Sequence, residues 1–344
     1  MIFNSYAKHA VVDNIAIYQG PGGCGKSTVM KELWAKDPKH TLCLAPTGIA
    51  AQRLRDDGCP ALTIHSAFNL PPVTIPFFKE NDYIRNKALM DATNLILVDE
   101  ISMVSCALMD WLLAMVCISF EHGHMVKLAL FGDVMQLPPV FRVPQNIEEY
   151  RTRMYGTNKF FFNAIGFSGM HPSIHFMEKV YRQNDSEFID VLSRVRFGKE
   201  SKSDLNVLGS RVMSRDSFME QQGSDTFLTL VSTNRERDEI NEKEMAKKNL
   251  ERNDGITYVA EIIGENNQDT LSRVPGTVTL HIGEQVVCTS NSESYKNGTI
   301  WKVVDFTDDK IHLPIILTGS GNEVVVGYKT TRTLAPVIKD DSIS

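Results

Sequence analysis

The sequence predicts an α/β protein in which helices cover both faces of parallel sheets. Three observations support this fold class. Apolar runs of strand length alternate with helical segments, a glycine-rich loop joins the first run to the first helix, and carboxylates directly follow a later run. Strands that alternate with helices are typical of parallel sheets. The length of 344 residues indicates two domains, or one domain with an insertion.

The first strand, loop and helix form one unit. Residues 14–19 predict a short buried strand and residues 28–34 a helix, and residues 20–27 match the pattern G-x-x-x-x-G-K-[ST]. Here the glycines let backbone N–H groups surround phosphate oxygens at a helix N-terminus. Lys26 is expected to reach the outer phosphates and Ser27 to hold a magnesium ion. The predicted ATP-contacting residues are Gly20, Gly22, Gly23, Cys24, Gly25, Lys26, Ser27 and Thr28.

Two further strands are predicted next. Residues 41–45 form an apolar run followed by a turn and a helix start, whereas residues 69–79 are rich in proline and aromatics and predict a small protruding insertion. Residues 94–98 form a buried strand that ends in Asp99 and Glu100. Carboxylates at such a strand end point into the crevice where α/β sheets bind ligands. Asp99 is therefore predicted to bind magnesium, directly or through water, and Glu100 to take the proton of an attacking water.

A buried helix and another strand complete the first domain. The most apolar stretch, residues 104–120, contains Asp110 and is short for a membrane span, so it predicts a buried helix. Residues 128–133 predict a strand, and Gln136 follows it where its amide can contact a terminal phosphate. The loop alone indicates a nucleoside triphosphate. Together with the Asp99-Glu100 pair and Gln136, it indicates a hydrolysis site.

Composition and charge describe an ordinary globular protein. Hydrophobic residues make up 42% and charged residues 23%, and the net charge is −6. This balance gives no general basic footprint for nucleic acid, although a few aligned Lys and Arg in a local groove would suffice. The six cysteines form no C-x-x-C pair, and the N-terminus has no signal peptide pattern. We therefore expect an intracellular protein, cytoplasmic or nuclear, with reduced thiols.

Several motifs occur in an order that resembles the Pif-type (petite integration frequency) and RecD-like DNA helicases of superfamily 1. In the first half they are GPGGCGKS at 20–27, APTGIAA at 45–51, TIHSAF at 63–68, VDEISM at 98–103 and GDVMQLPPV at 132–140. In the second half they are FMEKVYRQND at 176–185, TLVSTN at 229–234, and IGEQVV at 282–287 with NGT at 297–299. The resemblance spans most of the chain and is strongest before residue 200.

The resemblance implies two RecA-like lobes that bind ATP and Mg²⁺, with a small β-barrel inserted in the second lobe. It implies that Arg182 is an arginine finger for the γ-phosphate, a role that can contribute about 10³–10⁵ in rate; the alternative is a surface ion pair. The implied domains are residues 1–170 as the first lobe with a duplex-splitting wedge at about 69–90, residues 171–298 as the second lobe, residues 299–330 as the barrel, and residues 331–344 as a tail returning to the second lobe.

The resemblance also implies a partner, single-stranded DNA or a duplex or fork junction, and roles in DNA repair, replication and recombination. Bases in such proteins stack on apolar or aromatic groups while the backbone meets hydroxyls, amides and cations. The candidate DNA contacts are Thr47, His65, Phe68, Pro138 and Asn234. Each has a structural alternative, such as a turn cap for His65 and a core position for Phe68.

Two departures from the family pattern leave the function open between alternatives. The family's upstream Gln motif does not fit before Gly20, and its last two C-terminal motifs do not appear after the lead-in TRTLAPV at 331–337. The first hypothesis is an ATP-dependent helicase or translocase, with 5′→3′ polarity implied by the family. The second is a nucleic-acid-binding ATPase subunit or truncated core that needs a protein partner to unwind. A third, a small-molecule kinase, leaves Gln136 and Arg182 without a role.

Overall fold

The structure is a computed structural model. It describes residues 14–70, 78–139, 145–167, 170, 172–181, 185–214, 216–218, 229–251, 255–259, 277–287, 300–306, 315–319, 322–326, 338–339 and 342–343. The chain divides into two compact units, one formed by Met1–Ile189 with Leu334–Ser344 and the other by Asp190–Thr333.

A six-stranded parallel sheet forms the centre of the first unit, which confirms the predicted fold class there. Its strands are β1 (Ile15–Gln19), β2 (Thr41–Ala45), β3 (Leu62–Thr63), β4 (Leu95–Val98), β5 (Lys127–Gly132) and β6 (Ser173–Phe176). The order across the sheet is β3-β2-β4-β5-β1-β6, and every neighbouring pair is parallel. The carboxyl ends of all six strands therefore lie along one edge.

Helices cover both faces of this sheet. They are α1 (Lys26–Lys36), α2 (Gly48–Asp56), α3 (Ile64–Ala67), α4 (Glu80–Asp91), α5 (Cys106–Glu121) and α6 (Gln145–Tyr155), with 3₁₀ turns at Ile101–Met103, Phe161–Asn163 and Ile165–Phe167. Alternate residues of the strands pack into two separate apolar clusters, one against α3, α4 and α5 and the other against α1 and α2. Most of α5 is buried, as its apolar sequence predicts.

Two predicted boundaries of the first lobe differ from the structure. A first lobe that ends at residue 170 omits β6, but β6 pairs in parallel with β1, so residues 173–176 complete the first sheet. The predicted wedge at 69–90 includes α4, whose buried Tyr83 and Met90 pack into the core of the first unit. Of the protruding insertion predicted at residues 69–79, residues 71–77 lie outside the described residues.

The second unit contains helices and antiparallel strands in its described part. Its elements are α7 (Ser186–Arg196, which begins at the end of the first unit), α8 (Lys202–Gly209), α9 (Asn234–Glu251), β7 (Ile256–Val259), β8 (Thr277–Leu280), β9 (Gln285–Val287), β10 (Ile300–Phe306), β11 (Ile315–Gly319) and β12 (Asn322–Val326). Strands β7 and β8 form a pair, and the others form an open sheet of order β12-β11-β10-β9. The predicted barrel is thus a four-stranded sheet here, and β9 extends it before residue 299. A parallel sheet of the second lobe is absent from the described residues.

Two smaller observations complete the fold. The last described segment is a short antiparallel pair, β13 (Ile338–Lys339) and β14 (Ser342–Ile343). Across the described ranges, every helix is too short or too polar to cross a membrane.

Candidate nucleotide-binding site

The glycine-rich loop between β1 and α1 has the geometry of a phosphate-binding loop. Gly23 and Gly25 have φ angles of 80° and 91°, a left-handed conformation that favours glycine. Lys26 is the first residue of α1, and its Nζ donates hydrogen bonds to the carbonyl oxygens of Gly20 (2.7 Å) and Pro21 (2.8 Å). The ammonium is therefore held over the loop at a helix N-terminus, where an anion is favoured.

The segment after β6 runs along this loop. The backbone N–H of Met177 donates to the carbonyl of Gln19 at 2.8 Å, and that of Tyr181 donates to the carbonyl of Gly23 at 2.8 Å. A Cβ at Gly20 would overlap the carbonyl oxygen of Met177, so only glycine permits this close approach. The structure thereby places residues 176–181, the first part of the predicted 176–185 motif, at the loop. Arg182 itself lies outside the described residues.

Two carboxylates follow β4 at the carboxyl edge of the sheet. Asp99 is 2% exposed, and its backbone N–H donates to the carbonyl of Leu44 at 2.9 Å. Glu100 is half-buried and has a φ of 49°, a conformation rare for a residue with a side chain. Unusual backbone conformations of this kind concentrate at functional sites. Glu100 is thus the residue at which the chain turns from β4 into the 3₁₀ helix Ile101–Met103.

The sheet order places β5 between β4 and β1, so the residues after β5 lie beside both halves of the site. The Gln136 amide donates from Nε2 to Asp133 Oδ2 at 3.3 Å, and its backbone N–H donates to the Asp133 carbonyl at 2.9 Å. Its Nε2 also lies 4.0 Å from the position that a Cβ of Gly22 would occupy. Gln136 is thus adjacent to the phosphate-binding loop, which supports its predicted role.

Sequence reasoning missed one charged residue of the site, Arg53 on α2. Its Nη2 lies 3.0 Å from Asp99 Oδ2, and its Nη1 lies 3.3 Å from Glu100 Oε1. The separation of 46 residues between Arg53 and Asp99 leaves no local pattern. The contact depends on β2 lying beside β4, which brings the helix after β2 to the carboxylates after β4 and which the sequence alone does not show.

The charged groups around Glu100 have opposite effects on the pKa of its carboxyl. Burial raises the pKa of the Glu100 carboxyl, and the nearby Asp99 and Asp133 raise it further, whereas Arg53 and Lys26 lower it. A carboxyl whose pKa moves upward toward the working pH is a better proton acceptor than an ordinary exposed glutamate. These surroundings agree with the general-base role predicted for Glu100, which stays a prediction.

The donor set suits a magnesium ion. Ser27 in the first turn of α1 supplies a hydroxyl and Asp99 a buried carboxylate, both hard oxygen ligands. Magnesium commonly uses only one or two protein ligands and completes its shell with phosphate oxygens and water. The described part of the chain contains no cluster of three or more His, Cys, Asp or Glu side chains that could hold a metal alone. Ser27 and Asp99 therefore fit a magnesium ion that is bound together with a nucleotide.

The predicted DNA contact at Phe68 is wrong for this structure. Phe68 is 1% exposed, and its ring meets that of Trp111 edge to face at a centroid distance of 5.1 Å. A ring enclosed in the core cannot stack on a base. The structure therefore supports the alternative, in which Phe68 is a core residue.

The other four DNA candidates have different surroundings. Thr47 is half-buried and is the N-cap of α2, where its side-chain oxygen accepts from the backbone N–H of Ala50 at 3.2 Å. His65 is half-buried within α3, and Pro138 is exposed beyond β5. Asn234 begins α9 in the second unit, and its side chain is outside the described set. Thr47, His65 and Pro138 follow β2, β3 and β5, at the same sheet edge as the nucleotide site.

Comparison with known proteins shows similarity to one domain family and to several helicases. The AAA domain family matches residues 4–142. The ATP-dependent DNA helicase PIF1 of Emericella nidulans is 27% identical over 316 residues, covering 85% of this chain and 39% of that protein. The ATP-dependent DNA helicase Pif1 of Campylobacter jejuni is 24% identical over 341 residues, covering 92% and 72% of the two chains. A crystal structure of Bacteroides Pif1 bound to ssDNA superposes with a TM-score of 0.72, 24% identity, and coverage of 96% of this chain and 74% of that one.

The chain is similar in sequence and in fold to Pif1 helicases. Its similarity to these proteins extends through both units, since the match to the Campylobacter protein covers 92% of the chain. It spans 39% of the Emericella helicase and 32% of a Trypanosoma brucei relative named PIF7, so it corresponds to only part of each. The likeness to the Bacteroides structure shows that the fold is shared.

Proposed function

We propose that this chain is an ATP-dependent DNA helicase or translocase, an intracellular protein of the cytoplasm or nucleus. The observation that carries the proposal is the convergence of Lys26, the Asp99-Glu100 pair and Gln136 at one edge of the sheet, in the motif order of the Pif1 helicases. A phosphate-binding loop alone occurs in many nucleotide enzymes. Gln136 beside the loop, with a carboxylate in the position of a base, favours hydrolysis over phosphate transfer to a small molecule.

In the proposed reaction, water attacks the γ-phosphorus of ATP and ADP leaves with the bridging oxygen. Glu100 accepts the proton of the attacking water as the new oxygen–phosphorus bond forms. Lys26 stabilises negative charge on the outer phosphates, and Gln136 orients its amide toward the γ-phosphate. A magnesium ion held by Ser27 and Asp99 would neutralise phosphate charge. Arg182 is proposed to add a second positive charge at the transferring group.

The proposed partner is single-stranded DNA, or a fork that supplies it. Thr47, His65 and Pro138 remain the candidate contacts in the first unit and Asn234 in the second. The Bacteroides neighbour was crystallised with ssDNA, which supports a single strand as the ligand. Hydrolysis would drive stepwise movement along that strand, with the 5′→3′ direction expected from the family resemblance.

The proposal is tested by ATP hydrolysis with and without single-stranded DNA in the Lys26→Ala variant. We expect the wild-type chain to be stimulated by DNA and the variant to lose at least about 10²-fold in turnover, since charge stabilisation at the transferring phosphoryl group is removed. Lys31→Ala is the matched control, because Lys31 lies on the same helix and forms an exposed ion pair with Asp57 at 3.7 Å. Wild-type turnover in Lys26→Ala would refute the site.

A strand-separation assay distinguishes the helicase from the second candidate, a DNA-binding ATPase that does not unwind. A forked duplex with one labelled strand is incubated with the wild-type chain, ATP and Mg²⁺. Release of the strand supports a helicase. DNA-stimulated hydrolysis without release, followed by release when a protein partner is added, would support the ATPase subunit.

A further inference from the structure

Arg53 is the only described side chain that forms ion pairs with both carboxylates after β4. One guanidinium nitrogen contacts Asp99 at 3.0 Å and another contacts Glu100 at 3.3 Å. The two acids are adjacent in sequence, so like charges repel at short range and favour separation of the carboxylates. A planar guanidinium with fixed N–H directions can hold two such groups in one arrangement, which a flexible ammonium does less well.

The helix that carries Arg53 is well anchored. Thr47 caps its N-terminus, and Ala51 and Leu54 are fully buried in the cluster that also contains Leu97 of β4. Arg53 therefore projects from a helix that shares an apolar cluster with β4, the strand that Asp99 follows. Side chains supported in this way hold a site more accurately than side chains on a loop.

The backbone at Glu100 makes this support necessary. Its left-handed conformation directs the side chain out of the strand, and the carboxylate is only 23% exposed. Among the described residues, the contact of Arg53 with Oε1 is the only ion pair or hydrogen bond formed by this carboxylate. Without the guanidinium, the carboxylate would be free to rotate about its side-chain bonds.

We infer that Arg53 is a positioning residue that fixes the carboxylate of Glu100 for activation of the attacking water. The inference rests on the proposed function, because it assigns a task within that hydrolysis site. It does not require Arg53 to touch ATP or DNA. Its loss should consequently lower turnover while leaving nucleotide affinity nearly unchanged, since misplacement of a reacting group by about 1 Å can cost on the order of 10²-fold in rate.

The test compares Arg53→Gln and Arg53→Lys with the wild-type chain by ATP turnover on single-stranded DNA. We expect Arg53→Gln to lower kcat about 10- to 100-fold and to change KM for ATP by less than about threefold. Arg53→Lys should lower kcat less, because lysine keeps a positive charge that can contact one of the carboxylates. Binding of a fluorescent ATP analogue, measured separately, should be equal in all three proteins. Thermal unfolding identifies any variant that fails to fold.

Arg55→Gln is the matched control. Arg55 lies two residues further along α2, but it donates to the carbonyl of Ala61 at 2.6 Å and to Gln52 at 2.8 Å, away from the carboxylates. An equal fall in kcat in Arg55→Gln would assign the effect to helix stability and overturn the inference. Unchanged kcat in Arg53→Gln would also overturn the inference. If this variant in addition needed less Mg²⁺, the result would show that Arg53 competes with the metal for Asp99.

The wild-type measurement separates this inference from the function on which it rests. A wild-type chain that hydrolyses ATP while Arg53→Gln is equally active refutes the positioning role alone. A wild-type chain without hydrolysis refutes the proposed function, and the positioning role with it.

Discussion

Gly132, the last residue of β5, lies against the turn that carries Glu100, and its replacement by alanine tests how tightly that turn is held. A Cβ at this position would be 2.7 Å from Ile101 Cγ2 and 2.9 Å from the Ile101 backbone nitrogen. Rotation of the Ile101 side chain can relieve the first contact. It cannot relieve the second, because the nitrogen moves only with the backbone.

The expected magnitude follows from these distances. The gap to the Ile101 nitrogen is roughly 0.5 Å shorter than ordinary van der Waals contact, so the turn must move by about that amount. Such overpacking commonly costs about 1–3 kcal/mol of stability. Because Glu100 directly precedes Ile101, its carboxylate is displaced as well. A displacement of about half an ångström should lower turnover by roughly 10-fold, given about 10²-fold for 1 Å.

Gly132→Ala is assayed by urea unfolding and by DNA-stimulated ATP turnover under conditions where the variant stays folded. Gly123→Ala is the control. Gly123 has a φ of 82°, and no atom of the described residues lies within 4 Å of the position that its Cβ would occupy, so alanine there costs about 1–2 kcal/mol by backbone strain. The control should lose stability and keep its turnover. Wild-type turnover in Gly132→Ala, or an equal loss in Gly123→Ala, would refute the reasoning.

Two further predictions concern the core of the first unit. Phe68→Leu should lower the free energy of unfolding by about 1–3 kcal/mol without weakening single-stranded DNA binding, measured by fluorescence anisotropy; weaker DNA binding at unchanged stability would restore the DNA role of Phe68. Burial raises the pKa of the Cys43 thiol to about 12 and also raises that of Cys59. Both should therefore resist iodoacetamide at pH 8 until urea unfolds the chain, and the stability that their protonated forms give should decrease above about pH 9. Rapid labelling of native Cys43, detected by mass spectrometry, would contradict the burial.

Parts of the fold that depend on short segments could be predicted from the sequence. The β1–loop–α1 unit follows from a run of apolar residues, glycines with a defined spacing and a helical segment, all within about 20 residues. The buried helix α5 follows from its nearly continuous apolar sequence. Local conformation and hydrophobic burial determine these elements, so neighbouring residues suffice.

The features that the sequence predicted wrongly or did not reveal depend on contacts between residues far apart in the chain. The membership of β6 in the first sheet rests on its pairing with β1, more than 150 residues away, and its four residues are all exposed. The role of Arg53 depends on β2 and β4 being neighbours in the sheet. The DNA contact predicted at Phe68 disagrees with its burial, because motif position does not reveal that the residue after α3 packs against Trp111.

The two halves of the nucleotide site are held together by backbone segments that pack closer than side chains allow. Gly20 directly follows β1, and Gly132 is the last residue of β5. The N–H of Gly20 donates to the carbonyl of Gly132 at 3.2 Å. A Cβ on Gly20 would strike Met177, and one on Gly132 would strike Ile101. Close backbone contacts therefore connect four segments in a row, at Met177, Gly20, Gly132 and Ile101, and the last of these belongs to the Glu100 turn. Because close-packed backbone yields little, movement of the loop on binding phosphate should be transmitted to Glu100 through this row.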